Sequence, residues 1–128
     1  MVRKQSGSIK PKRVSKAKPF VKWAGGKGGL LKKLESYFPD EFDTYYEPFM
    51  GGGAVFFYLN PTKAVINDLN RELMDVYEVV KKDVEALMTA LNKQQKYVDD
   101  KEYSYKMRGK NPNRMKPINR AARTIFLN

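Results

Sequence analysis

From Asn70 onward, apolar side chains recur at Leu73, Tyr77, Val80, Val84, Leu87 and Leu91, with charged and amide residues between them. Steps of three and four residues place these side chains on one face, so the spacing predicts a long amphipathic helix. The stripe reads as core, and a break is expected near Lys82-Asp83. Upstream the pattern is shorter in range. Leu30, Leu31, Leu34 and Tyr37 or Phe38 predict a short helix ended by Pro39. Residues 44–47 (TYYE) predict a strand stopped by Pro48, and residues 64–67 (AVIN) a second strand. Between them, residues 54–59 (AVFFYL) lean towards β by composition. A glycine turn ahead and Asn60-Pro61 behind bracket one short element, which predicts a helix. Residues 97–118 are rich in Tyr, Lys and Asn with little periodicity, and residues 119–128 (NRAARTIFLN) predict a helix still running at the last residue. Strand, turn, helix, strand and long helix in that order give an α/β chain with a helical segment towards the C-terminus.

Charge divides the 128 residues into three. Residues 1–33 carry 11 Lys/Arg and no acid; residues 34–100 carry 6 basic and 13 acidic residues; residues 101–128 carry 8 basic and 1 acidic. Two basic flanks around an acidic centre point to nucleic acid as the first partner to consider, because clustered cations release counterions from phosphates. The first 18 residues, rich in Ser, Lys and Pro, read as a flexible basic arm. Residues 19–95 and a basic, mostly helical segment over 96–128 follow as the other two units. The chain contains no Cys and no His, which excludes disulfides, thiolate chemistry, a histidine base and His- or Cys-based metal sites; no metal site is expected. Apolar runs are too short for a membrane span.

Two glycine loops carry the chemistry. Phe49-Met-Gly-Gly-Gly53 follows the first predicted strand and opens the helix, where glycines allow a sharp turn and close approach of backbone to a ligand. The second strand ends in Asn67-Asp68, with Asp68 placed 17 residues after Gly51. An acidic residue at about that spacing suits ribose hydroxyls, so the unit fits a nucleoside cofactor. The other reading of Asp68 is an ordinary N-cap for the helix beyond it. The earlier loop, Trp23-Ala-Gly-Gly-Lys27, is not a phosphate-binding P-loop: Val21 stands where that motif needs Gly, and Gly28 where it needs Ser or Thr. Trp23 offers a ring face to an adenine or a sulfonium, or else plugs the core. Lys27 suits a carboxylate. Glu47 could serve as a partner to the dipole of the helix that follows.

Pro19-Phe-Val-Lys-Trp-Ala-Gly-Gly-Lys27 resembles the N-terminal motif of the DNA adenine methylase family. Tyr46-Glu-Pro-Phe-Met-Gly-Gly-Gly-Ala-Val-Phe57 resembles its cofactor motif, and Val65-Ile-Asn-Asp-Leu-Asn70 its acidic strand end. The likeness runs in order over residues 19 to about 91 and returns at 120–128. It implies a site-specific DNA adenine-N6 methyltransferase using S-adenosylmethionine, a partial Rossmann-like methyltransferase fold, double-stranded DNA as partner, and a cytoplasmic, prokaryotic or phage-encoded setting. By position, Trp23, Lys27, Glu47, Phe49, Gly51, Gly53 and Asp68 would bind the cofactor. The segment 96–128 would begin the DNA-recognition region, with Lys106, Arg108, Lys110, Arg114 and Lys116 facing the nucleic acid. Tyr97, Tyr103 and Tyr105 among the lysines could stack bases or contact phosphates, or else be incidental tyrosines of a polar loop.

The family's catalytic Asp-Pro-Pro-Tyr is absent, since the chain has no two adjacent prolines. No catalytic residue is therefore expected here, and the two strands fall short of the seven that a methyltransferase sheet would have. The chain is expected to be the N-terminal portion of such an enzyme, inactive alone and needing a second polypeptide that carries the missing motif. The alternative is a non-catalytic module that binds S-adenosylmethionine or DNA.

Overall fold

The computed structural model describes residues 17–128. The basic arm expected over 1–18 falls outside the described residues apart from its last two. After the first glycine loop, a 3-10 turn at Lys27–Leu30 leads into one α-helical turn, α1 (Leu31–Leu34), and a second 3-10 turn at Glu35–Tyr37. Phe38 leaves the helical region (ψ 136°), as the ring of Pro39 requires of its neighbour.

Strands β1 (Tyr45–Glu47) and β2 (Ala64–Ile66) pair in parallel, with Tyr46 opposite Val65 and Glu47 opposite Ile66. Each is one residue shorter than the sequence pattern, but the ladder continues through Tyr45 N–H to the Lys63 carbonyl and Asn67 N–H to the Glu47 carbonyl. Helix α2 (Ala54–Leu59) connects them. Its β-leaning residues are overruled at both ends by backbone: Gly53 (φ 77°) opens it and Asn60 (φ 48°) closes it, each in the left-handed region. Period-two alternation turns Tyr45 towards α2, where its ring meets Phe56 at 6.4 Å. The other face carries Tyr46 and Val65, both exposed.

The long helix α3 (Arg71–Gln94) starts at Asn70, whose side chain accepts the Leu73 amide at 3.1 Å. The anticipated break is present at Asp83 (φ −156°, ψ 70°), and the Asp83 carboxylate caps the second half through the Ala86 amide at 3.1 Å. A non-helical residue resets the angular phase, so one stripe does not continue through it. Leu73, Val76 and Val79 are buried before the kink and Leu87 after it. Val84, expected in the stripe, is exposed.

Residues 97–118 contain more helix than their periodicity announced. Helix α4 (Lys101–Gly109) is capped by Asp100, which accepts the Tyr103 amide at 2.9 Å. Helix α5 (Pro117–Phe126) begins with a proline where no amide is needed. Its Ala121 and Ala122, both fully buried, let α5 press closely onto α3. Arg120 to Asp75 (2.9 Å) and Arg123 to Glu72 (3.3 Å) fix the two helices from their polar edges. Val21 brings the N-terminal loop into the same core. The described residues are mixed α/β and mostly helical, with a small parallel sheet. No described helix is long and apolar enough to cross a membrane.

Candidate functional site

The two glycine loops face each other across a cleft of about 240 Å³, with Asp68 at its end. The loops pack so closely that a Cβ on Gly52 would lie 3.0 Å from the Val21 carbonyl. A Cβ on Gly53 would lie 2.7 Å from Met50 Cε and 2.9 Å from the Phe57 ring. Glycine backbone therefore forms part of both walls, beside the side chains that border the cleft. Trp23 is half-buried: its body rests on the core cluster and it also borders the cleft.

Of the residues singled out by sequence, Trp23, Lys27, Phe49, Gly51, Gly53 and Asp68 line this cleft. Glu47 does not. It is buried at the end of β1, where it accepts from Lys27 Nζ at 2.7 Å and from the Tyr45 hydroxyl at 2.6 Å. Lys27 also donates to the Phe49 carbonyl at 2.6 Å, so it ties the first loop to the second. Burial, and then the hydrogen bond to Glu47 and that residue's negative charge, push the Tyr45 phenol well above its ordinary range.

Asp68 braces the turn. One carboxylate oxygen accepts the Gly51 amide at 2.9 Å, the other the Asn70 amide at 2.9 Å. It is not the N-cap of α3; Asn70 holds that position, and Asp68 stands two residues before it. The Met50 amide donates to the Asn67 carbonyl at 2.9 Å, fastening the turn to the end of β2.

Two site residues escaped sequence reading. Met50 is fully buried beneath the turn; an apolar residue inside a glycine-rich loop was the available signal. Tyr77 donates its hydroxyl to the Gly51 carbonyl at 2.9 Å. Its place in the apolar stripe of α3 hid that polar role. Burial, with the negative charges of Glu47 and Asp68, pushes the Tyr77 phenol up to about 12.

Lys106, Arg108, Lys110, Arg114 and Lys116 are all exposed along α4 and the approach to α5. They do not converge on one pocket. Arg108 borders a shallow depression with Tyr105, whereas Lys110 and Lys116 rim a wider one of about 840 Å³ between α3, α4 and α5, away from the glycine loops. Tyr97 and Tyr103 stack on each other (4.1 Å, 8°), and Tyr103 meets Phe126 edge-on. Tyr105 alone of the three keeps an exposed ring. No group of three or more acidic side chains is placed to hold a metal ion among the described residues.

The family model for D12 class N6 adenine-specific DNA methyltransferases matches residues 23–128. A type II methyltransferase of Lactococcus lactis subsp. cremoris is 40% identical over 114 residues, covering 86% of this chain and 40% of that protein. A type II methyltransferase of Methanocaldococcus jannaschii is 42% identical over 129 residues, covering 87% and 45%. A DNA N-6-adenine-methyltransferase of Escherichia phage P1 is 32% identical over 130 residues, covering 98% and 17%. The chain thus spans less than half the length of these relatives. With the family match running from Trp23 in the cleft to the end of α5, the chain belongs to the D12 class of N6 adenine-specific DNA methyltransferases.

Proposed function

We propose that this chain is the cofactor-holding portion of a site-specific DNA adenine-N6 methyltransferase that uses S-adenosylmethionine. The observation that carries the reading is the cleft between the glycine loops, which brings Trp23, Lys27, Phe49, Gly51 and Asp68 together. The donor set suits the cofactor's chemistry. Trp23 borders the cleft and offers an aromatic ring to a planar base or a cation. Lys27 uses two of its three N–H bonds on Glu47 and Phe49, leaving one for a carboxylate. Each oxygen of Asp68 accepts one amide and retains a lone pair for a ribose hydroxyl. Glu47 serves the site through Lys27. Bound there, S-adenosylmethionine would supply an electrophilic methyl group for the adenine amine.

The open face of the sheet at Tyr46 and Val65 supports a larger Rossmann-like methyltransferase fold, because parallel sheets are ordinarily covered on both faces. In this reading residues 19–95 form the cofactor unit and 96–128 begin the DNA-recognition region. Lys106, Arg108, Lys110, Arg114 and Lys116 there contribute phosphate contacts to double-stranded DNA. Orientation of the target amine belongs to an Asp-Pro-Pro-Tyr motif outside these 128 residues, supplied by a further polypeptide segment.

Isothermal titration calorimetry with S-adenosylmethionine tests the proposal. Saturable binding is expected, weakened about tenfold or more in Trp23→Ala and Asp68→Ala, in line with loss of a stacking or charged hydrogen-bonding partner. Variants that bind like the parent would remove the site assignment. Transfer of labelled methyl groups to DNA by the purified chain alone would refute the dependence on a further segment.

A further inference from the structure

Gly51 is held from both sides. Its N–H donates to Asp68, at the end of β2, and its carbonyl accepts from Tyr77, two turns into α3. Both bonds are 2.9 Å, and the partners lie 17 and 26 residues away in sequence. The peptide between Gly51 and Gly52 has no Cβ on either flank. Rotation of that peptide plane meets little of the steric resistance that other residues supply. A carbonyl bond from a fixed donor replaces what sterics omit. Tyr77 is such a donor: its backbone belongs to a helix packed in the core, and its ring meets Phe20 edge-on at 5.7 Å.

We propose that Tyr77 is a positioning residue for the cofactor cleft, its hydroxyl locking the Gly51–Gly52 peptide in the orientation that faces Trp23. The proposal rests on the cofactor reading above for its functional consequence, though not for the lock itself. The phenol keeps its proton throughout the neutral range, so the lock is a hydrogen bond donated by a neutral hydroxyl. Asp68 has two tasks in this scheme, bracing the Gly51 amide and offering its remaining lone pairs to ligand. Tyr77 reaches the cleft only through its bond to the turn; its ring packs on Phe20 and the core.

The test compares the full chain with Tyr77→Phe, which keeps the ring against Phe20 and removes one oxygen atom. Tyr105→Phe, at an exposed tyrosine of α4, serves as control. In Tyr77→Phe, affinity for S-adenosylhomocysteine by calorimetry should fall about tenfold, and amide exchange at Gly51 and Gly52 by NMR should quicken by a similar factor. The control should match the parent in both. In the parent itself, the Tyr77 hydroxyl proton should exchange slowly enough to be seen, with a cross-peak to the glycine turn. That readout does not depend on the variant folding. Parent-like affinity and parent-like exchange in Tyr77→Phe, or a rapidly exchanging hydroxyl, would overturn the proposal. A parent that binds no cofactor refutes the cofactor reading alone, and the exchange data then decide whether the lock exists.

Discussion

Replacing Gly53 with Ala should be the most destructive of the single-methyl additions in the glycine turn. Two costs combine. Gly53 sits at φ 77°, a left-handed conformation that costs an L-residue about 1–2 kcal/mol. Its new methyl carbon would lie 2.7 Å from Met50 Cε and 2.9 Å from Phe57 Cε2. Met50 is fully buried, so its end has little room to withdraw, and overpacking of that kind costs about 1–3 kcal/mol. Together the change should cost about 2–5 kcal/mol, a large part of the 5–15 kcal/mol typical of a domain. Gly51→Ala separates the two costs. Gly51 is also left-handed (φ 53°), but the nearest atom to its added carbon is Trp23 Cδ1 at 3.9 Å, an ordinary contact. It should therefore pay for strain alone, about 1–2 kcal/mol. Gly109→Ala, at the last residue of α4 with nothing near, should be neutral or stabilising by up to about 1 kcal/mol. Urea unfolding followed by far-UV circular dichroism gives all three values. Equal losses for Gly53→Ala and Gly51→Ala, within about 0.5 kcal/mol, would refute the packing argument.

Lys27→Met leaves the buried Glu47 without its cation and should cost about 1–3 kcal/mol in urea unfolding; adding Glu47→Gln should restore at least half, and no recovery would mean that the pair is not coupled. Arg123→Ala removes donors to the Met107 and Arg108 carbonyls and to Glu72, so it should cost about 2–4 kcal/mol and speed amide exchange at the end of α4; unchanged exchange there would contradict the bracing. Alkaline pH should also destabilise the chain. The folded state holds the Tyr77 proton up to about pH 12, whereas an unfolded tyrosine releases it near 10. That contribution is complete below about pH 10 and lost as pH rises towards 12, so Tyr77→Phe should flatten the decline; an identical decline in the variant would contradict the shift.

What could be read from the chain was the part its backbone punctuates. Glycines at 51–53 and Asn60-Pro61 enforce an element between two strands, so β1, the turn, α2 and β2 were legible despite the β-leaning residues of α2. The kink at Asp83 was legible as a polar interruption, but its effect on phase was not, which is why Val84 was misplaced in the core. Helix α4 lacked a stripe because it buries little more than Met107; its sign was Asp100 three residues before Tyr103, a cap rather than a period. Within the site, Trp23, Lys27, Phe49, Gly51, Gly53 and Asp68 were legible from the glycine loops and the family resemblance, whereas Met50, which also borders the cleft, was not. The bonds among them were not. Lys27 to Glu47 spans 20 residues and Tyr77 to Gly51 spans 26, and local pattern carries no information on pairs that only folding brings together. The tyrosines illustrate the same limit: Tyr97 and Tyr103 satisfy each other, which their sequence neighbourhood did not announce.

Trp23 is the single tryptophan of the chain, and it borders the cleft, so its fluorescence reports directly on the central claim that the two glycine loops hold S-adenosylmethionine. Titrating the chain with S-adenosylhomocysteine should change Trp23 emission saturably, and Asp68→Ala should shift the curve to higher concentration. An unchanged emission up to millimolar ligand, or a curve that Asp68→Ala leaves in place, would contradict the assignment of this cleft to the cofactor.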